Sequence, residues 1–244
     1  MGEKKDQRPI EEKEGFRCLE GYRVACGVSG KHPDTVYVYT ADRKADIYEI
    51  YADLHRRTTR GEVHAEVLVR SNHDRLLATG GKLWTTVAKT AVLGEIAFYI
   101  PHANNREGRS IVQTIRATRV VLKGPYRQGN RLPDVELTAV LAREKDPPKG
   151  EQAIEWILLT SRPAQTLEQA LEILQWYLCR WQVEIYFKIL KSGCRVEELQ
   201  LERLTRLEPA LAFYMMVAWC VLYLTLLGRA CPELPCEGVF GEQE

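Results

Sequence analysis

The stretch Tyr177–Lys191 constrains the fold more than any other part of this chain, because it is apolar on two sides and charged on a third. It reads Y-L-C-R-W-Q-V-E-I-Y-F-K-I-L-K, and Tyr177, Arg180, Glu184, Lys188 and Lys191 recur at steps of three, four, four and three. At about 100° per residue, such steps place all five on one helical strip roughly 80° wide. Leu167, Leu171, Leu174, Leu178, Trp181, Ile185 and Ile189 form an apolar stripe on one side of the strip, and Trp176, Val183, Phe187 and Leu190 form another. A helix with two apolar borders is flanked by core on both and opens along one narrow face. Thr166, with Gln169 three residues on, supplies a capping box at the start, and Ser192-Gly193 a stop. The expectation is one unbroken helix from Thr166 to Lys191.

Upstream of that helix the periodicity alternates between helix and strand. Glu11 to Ser29 carries Phe16, Leu19, Tyr22 and Cys26 at helical spacing. Thr35–Thr40 is a β-branched and aromatic run that suits a strand, and Asp42 follows it just before a helical pattern from Asp46 through Leu54. A carboxylate at the carboxyl end of a strand stands where α/β sheets place ligand-binding groups. Val63–Val69 reads as the next strand and delivers Arg70 at its end. From there to Glu144 the pattern turns to short strands at 95–100, 111–122 and 135–143, with no helix pattern among them, and Pro147-Pro148-Lys149-Gly150 closes this β-rich module. Ile154–Thr160, containing Trp156, is a strand leading into the long helix.

At 244 residues the chain can bury one large core or two modest ones. Its 34 basic and 33 acidic residues give a net charge of +1, so nucleic-acid binding has to come from local clusters. Seven scattered cysteines fit no disulfide framework and point to reduced thiols in a cytoplasm. The charged start has no apolar signal core. Pro209–Gly228 is uncharged and long enough to span a bilayer, but Glu208 and Pro209 open it like a helix cap and first turn, so a buried helix is expected there rather than a membrane span.

Glu184 has Arg180 and Lys188 one turn away on either side. A pair of solvated salt bridges is the plainest account of that spacing. Arg, Lys and Tyr are also the donors that grip phosphate oxygens, and here they share a face with one carboxylate between aromatic borders. Tyr-x2-Arg-x3-Glu-x6-Lys, complete here as Tyr177, Arg180, Glu184 and Lys191, resembles the signature of the DDE transposases of bacterial insertion sequences, specifically the insertion-sequence-four family. Thr40-Ala-Asp-Arg-Lys-Ala-Asp-Ile47 is similar to that family's second-aspartate motif, and Val67-Leu-Val-Arg-Ser71 to the strand after it. Pro147-Pro-Lys-Gly150 with Glu155-Trp-Ile-Leu-Leu-Thr-Ser161 is similar to the family's exit from its β insertion.

The resemblance implies an α/β, RNase H-like catalytic core interrupted by a β-rich insertion. Its segments would be a partial core at 1–66, the insertion at 67–153, the remainder of the core at 154–228 and a tail at 229–244. It further implies two-metal phosphodiester hydrolysis and strand transfer at transposon ends, with Mg2+ or Mn2+ held by carboxylates. Asp42 would be the second carboxylate and Glu184 the third. Tyr177, Arg180, Lys188 and Lys191 would grip the DNA backbone and Arg70 would contact DNA; in relatives that cut through a DNA hairpin a base near the end is flipped out, and Trp156 would occupy or stack against that base's pocket. Asp42 as a helix cap, Arg70 as a surface cation and Trp156 as a core residue remain open alternatives. The implied partners are double-stranded DNA and a second transposase chain, as a homodimer or as a heterodimer with a full-length transposase, with no membrane.

The family's first catalytic aspartate has no counterpart here, since Asp6 and Asp34 stand in no strand. No match is found for its amino-terminal DNA-binding domain or its carboxyl-terminal dimerisation region. The expectation is a chain truncated at both ends, with its first core strands missing, a strand edge open and a metal site short of one ligand, inactive alone. The alternative is a non-catalytic DNA-binding or inhibitory fragment.

Overall fold

The structure, a computed structural model, describes residues 9–100, 108–127 and 129–240; Asp6 lies outside the described residues. The chain divides into two compact units, Met1–Tyr177 and Leu178–Glu244.

The first unit opens with α1 (Phe16–Lys31), β1 (Val38–Ala41), α2 (Tyr48–Thr59) and β2 (Glu66–Arg70). Then come a short α3 (Leu83–Ala88), β3 (Gly94–Ile100), β4 (Arg109–Leu122), a minimal hairpin of β5 (Tyr126–Arg127) and β6 (Asn130–Arg131), β7 (Val135–Glu144), β8 (Glu155–Thr160) and α4 (Leu167–Cys179). Six strands form one mixed sheet in the order β1-β2-β8-β7-β4-β3. Only β1 and β2 run parallel, in register Val38↔Glu66 to Ala41↔Val69, and every other neighbour is antiparallel. The strands expected in a separate β-rich module, β3, β4 and β7, are thus hydrogen-bonded into the same sheet as β1, β2 and β8.

Alternation along the strands builds a core on each face. Val67 and Val69 point into a cluster with Leu19 and Tyr22 of α1 and Ile50 and Tyr51 of α2. Leu68, between them in sequence, joins Leu158, Val140 and the α4 residues Ala170, Ile173 and Leu174 on the other face. Each fully buried aliphatic or aromatic side chain contributes about 1.5–3 kcal/mol relative to exposure. The buried phenols are also paired: Tyr48 donates to the Leu122 and Pro133 carbonyls at 3.0 and 2.9 Å.

Gly124 is fixed by close backbone approach. A Cβ there would lie 1.9 Å from the Leu132 carbonyl oxygen, so no larger residue fits without moving the chain.

The second unit is helical, with α5 (Trp181–Lys188), a π turn at Ile189–Gly193 and α6 (Leu204–Ala230).

Four expectations need correction. The helix expected from 166 to 191 is interrupted: α4 ends at Cys179, Val183 N–H bonds the Arg180 carbonyl three residues back, and the π turn closes with Cys194 N–H on the Ile189 carbonyl five residues back. Each departure from four-residue bonding changes the angular step, so the strip does not stay in one line. Its start does hold, with Gln169 N–H on Thr166 Oγ1 at 3.3 Å. The stretch read as free of helix contains α3, which buries Leu83 and Val87. The apolar helix begins at Leu204 rather than at Pro209, which lies inside it. It is also not the buried helix expected: 11% of its most apolar window is buried, and only Ala218 and Leu222 are buried along it. By length and composition it is apolar enough to cross a membrane. It is apolar all round, and the described residues cover one line of it.

Candidate functional site

Asp42 stands at the carboxyl end of β1 in extended conformation and caps the 3-10 turn Arg43–Ala45, its Oδ1 accepting from Lys44 N–H at 2.9 Å. The turn is held in place by the next carboxylate along. Asp46 is 1% exposed and accepts from the Tyr51 hydroxyl at 2.9 Å, from the Asn72 and His73 N–H groups at 2.6 and 2.9 Å, and from Arg75 Nη2 at 2.7 Å. Arg75 lies 5.6 Å from the ring centroids of both Tyr48 and Tyr51. Burial first, and the neighbouring Asp46 charge second, push the Tyr51 phenol well above its ordinary value, so it is a permanent donor to that carboxylate. Asp46 therefore ties the turn after β1 to the loop after β2. Sequence reasoning quoted this aspartate within its motif and gave it no role.

Arg70, at the end of β2, donates from Nη2 to the Glu155 carbonyl at 3.1 Å, which anchors its guanidinium across β8. Trp156 is half-buried in β8, its ring centroid 5.9 Å from that of Tyr177 at an interplanar angle of 59°. Tyr177 itself is 1% exposed within the core under α4, not on an open face as its place in the charged strip implied. The reason is α4's own periodicity: Ile173, Leu174 and Tyr177 share the side that packs on the sheet.

In the second unit, Arg180 Nη1 pairs with Glu184 Oε1 at 2.8 Å, and the Arg180 guanidinium lies 5.1 Å from the Trp181 ring centroid. Glu184 is half-exposed. Lys188 is exposed on α5. Lys191, in the π turn, pairs with Glu197 at 2.7 Å, both side chains in solvent. Exposed pairs of this kind contribute little stability, so competition from a phosphate costs little.

Hard divalent cations want several oxygen ligands. The carboxylates of Asp42 and Glu184 have suitable oxygens, but among the described residues no three His, Cys, Asp or Glu side chains converge to hold a metal ion. Asp46, whose carboxylate is already committed to Tyr51, two backbone amides and Arg75, does not supply the missing ligand.

A family model described as transposase DDE domain matches residues 31–220. The chain belongs to the transposase DDE domain family. The match takes in the whole six-stranded sheet, α4, α5 and most of α6. As a transposase DDE domain, the chain belongs with enzymes that bind DNA and carry out nuclease and strand-transfer chemistry, typically with divalent metal. The mixed α/β architecture with an open sheet is consistent with that family.

Proposed function

We propose that the chain is a cytoplasmic transposase component of the insertion-sequence-four type that engages transposon-end DNA, and that residues 1–244 alone do not cut it. In this reading the first unit, with its β-rich insertion at 67–153, is part of an RNase H-like core. Asp42 and Glu184 are its second and third metal-seeking carboxylates. Arg180, Lys188, Lys191 and Arg70 position the backbone, Tyr177 packs under α4 and supports them from the core, and Trp156 stacks on a displaced base. The observation that carries the reading is the complete Tyr177, Arg180, Glu184, Lys191 spacing in a chain whose family match includes all four. Two others support it. Asp42 lies at the carboxyl end of a parallel strand pair, and β1 ends the sheet with only β2 as a strand neighbour among the described residues. DNA, not a membrane, is the partner.

The deciding experiment incubates the chain with labelled transposon-end duplex in Mn2+ and follows both binding and strand cleavage. Binding without cleavage is expected. Robust metal-dependent cutting by this chain alone would overturn the incomplete-site reading, and absence of any binding would overturn the DNA reading.

A second reading, an inhibitory fragment that pairs with a full-length transposase, is favoured by the bare apolar faces of α6, where Phe213, Met216 and Trp219 are about 60% exposed. Transposition frequency measured with and without the chain separates it from the first.

A further inference from the structure

At the carboxyl ends of β1 and β2 lies a cavity of about 190 Å3, bordered by Arg43, Arg70, Ser71, Asn72, Trp84 and Glu155. Its volume corresponds to about six waters, enough for one flat group and too little for a stacked pair. Trp84 is fixed at both ends yet open to solvent. Its backbone N–H donates to Asp74 Oδ1 at 2.9 Å and its indole Nε1 to Ser71 Oγ at 3.1 Å, while 38% of the residue stays exposed. An aromatic ring held in place before anything binds loses little freedom when a ligand stacks on it.

The charges around that ring are arranged for an anion. Arg70 is anchored to the Glu155 carbonyl. The Glu155 carboxylate is taken up outside by Arg143 at 3.3 Å. Arg43 is exposed and has no carboxylate partner among the described residues. Asn72 commits its backbone N–H to Asp46 and keeps an exposed side-chain amide, which can both donate and accept.

An aromatic wall, an exposed guanidinium and an amide are the groups that recognise a base, its phosphate and its edge. We infer that this cavity binds one unpaired nucleotide, with the base stacked on Trp84 and the phosphate on Arg43. The site is separate from the stacking role proposed for Trp156. Glu155 borders the cavity and Ile157 packs in the α1 and α2 core, whereas Trp156 packs against the α4 cluster on the opposite face of β8. Neither Trp84 nor Arg43 belongs to the motifs of the charged helix. The nucleotide could be part of a DNA strand or free in solution. The strand source rests on the transposon-end reading.

The test titrates the full chain with short oligothymidylate, with thymidine monophosphate and with a blunt duplex. Trp84→Ala is expected to weaken oligothymidylate binding roughly five- to a hundredfold, the range for loss of one base–aromatic stack. Trp84→Phe, which keeps a ring and gives up the Ser71 bond, is expected to stay within about threefold of the parent. Arg43→Ala, a change on the exposed surface, should weaken binding and lower the slope of its salt dependence by about 0.7. Duplex affinity should hardly move with Trp84. The inference is overturned if neither single-stranded probe binds the parent chain, or if Trp84→Ala and Arg43→Ala bind as the parent does. Trp84-dependent binding of the monophosphate as tight as that of the oligomer assigns the site to free nucleotide. Trp84-dependent binding without any duplex affinity leaves the site standing and removes the transposon-end reading.

Discussion

Asp42 and Asp46 are four residues apart, of the same type, and opposite in what they can do. Asp42 uses one oxygen on a local turn and faces outward, whereas the Asp46 carboxylate is wholly buried and spoken for by Tyr51, the loop after β2 and Arg75. Asp46→Ala would leave the Arg75 charge and the Tyr51 hydroxyl buried without their acceptor, a loss of about 3–5 kcal/mol. Denaturant unfolding should show it, and Asp46→Asn, which keeps one acceptor oxygen for the Tyr51 hydroxyl or the loop amides, should lose less than Asp46→Ala. A single-mutant cost under about 1 kcal/mol would mean that the latch is not tight. Glu144 gives a pH-dependent counterpart. The Arg109 hydrogen bond, followed by the Ile154 N–H, outweighs burial and holds its carboxyl below the ordinary 4.5. A depressed folded value stabilises the fold fully above the ordinary range and is lost as pH falls through the folded value. Thermal unfolding followed from neutrality to pH 3 should drop more steeply for the parent than for Glu144→Gln, which starts less stable. Parallel curves would contradict this. At this scale the sequence marked Asp42, because a strand end before a helix is a local pattern. Asp46 went unmarked because, Tyr51 apart, its partners lie 26 to 29 residues downstream.

Strands were readable because alternation with a period of two leaves a trace in every window; β4, β7 and β8 begin and end within two residues of their expected limits. The interruption after Cys179 was not readable, since Arg180 and Ile189 keep right-handed helical dihedrals and only the bonding pattern shifts. Burial of α6 was unreadable for another reason: a helix apolar on every face looks the same inside a core and outside one. Its consequence can be tested. Val183 and Tyr186 of α5 and Met215, Met216 and Trp219 of α6 border an apolar groove of about 880 Å3, steadied by the Tyr186 hydroxyl on the Met215 carbonyl at 3.0 Å. The chain should therefore bind a hydrophobic reporter dye in its native state. Met216→Gln with Trp219→Gln should remove most of that signal without lowering the unfolding midpoint. Unchanged dye binding would show that the groove is already covered.

For the whole molecule, a net charge of +1 leaves no general attraction for DNA, so affinity must follow the few cations placed to meet phosphates. With Arg180, Lys188, Lys191 and Arg70 engaged, the logarithm of duplex affinity should fall with that of salt at a slope of about −3.6, at about −0.9 per contact. Arg180→Ala with Lys188→Ala should reduce the slope by about 2 and weaken binding at all sequences alike. A slope unaffected by both changes would return the strip to an ordinary solvated face. The family was legible in the sequence because its motif is a spacing within fifteen consecutive residues, which reads the same whether or not the helix carrying it is interrupted. Metal competence was not, since it depends on carboxylates brought together from elements distant in the chain.

The Asp46 latch also dictates an order of events during synthesis. The turn that presents Asp42 follows β1 directly, yet the amides and guanidinium that hold it arrive only when residues 72, 73 and 75 have been made. A nascent chain ending before them carries a carboxylate with nothing to bury it against. Asp42 takes up its fixed position only once β2 and its following loop have been made, so the presentation of this residue waits on a segment about thirty residues further along the chain.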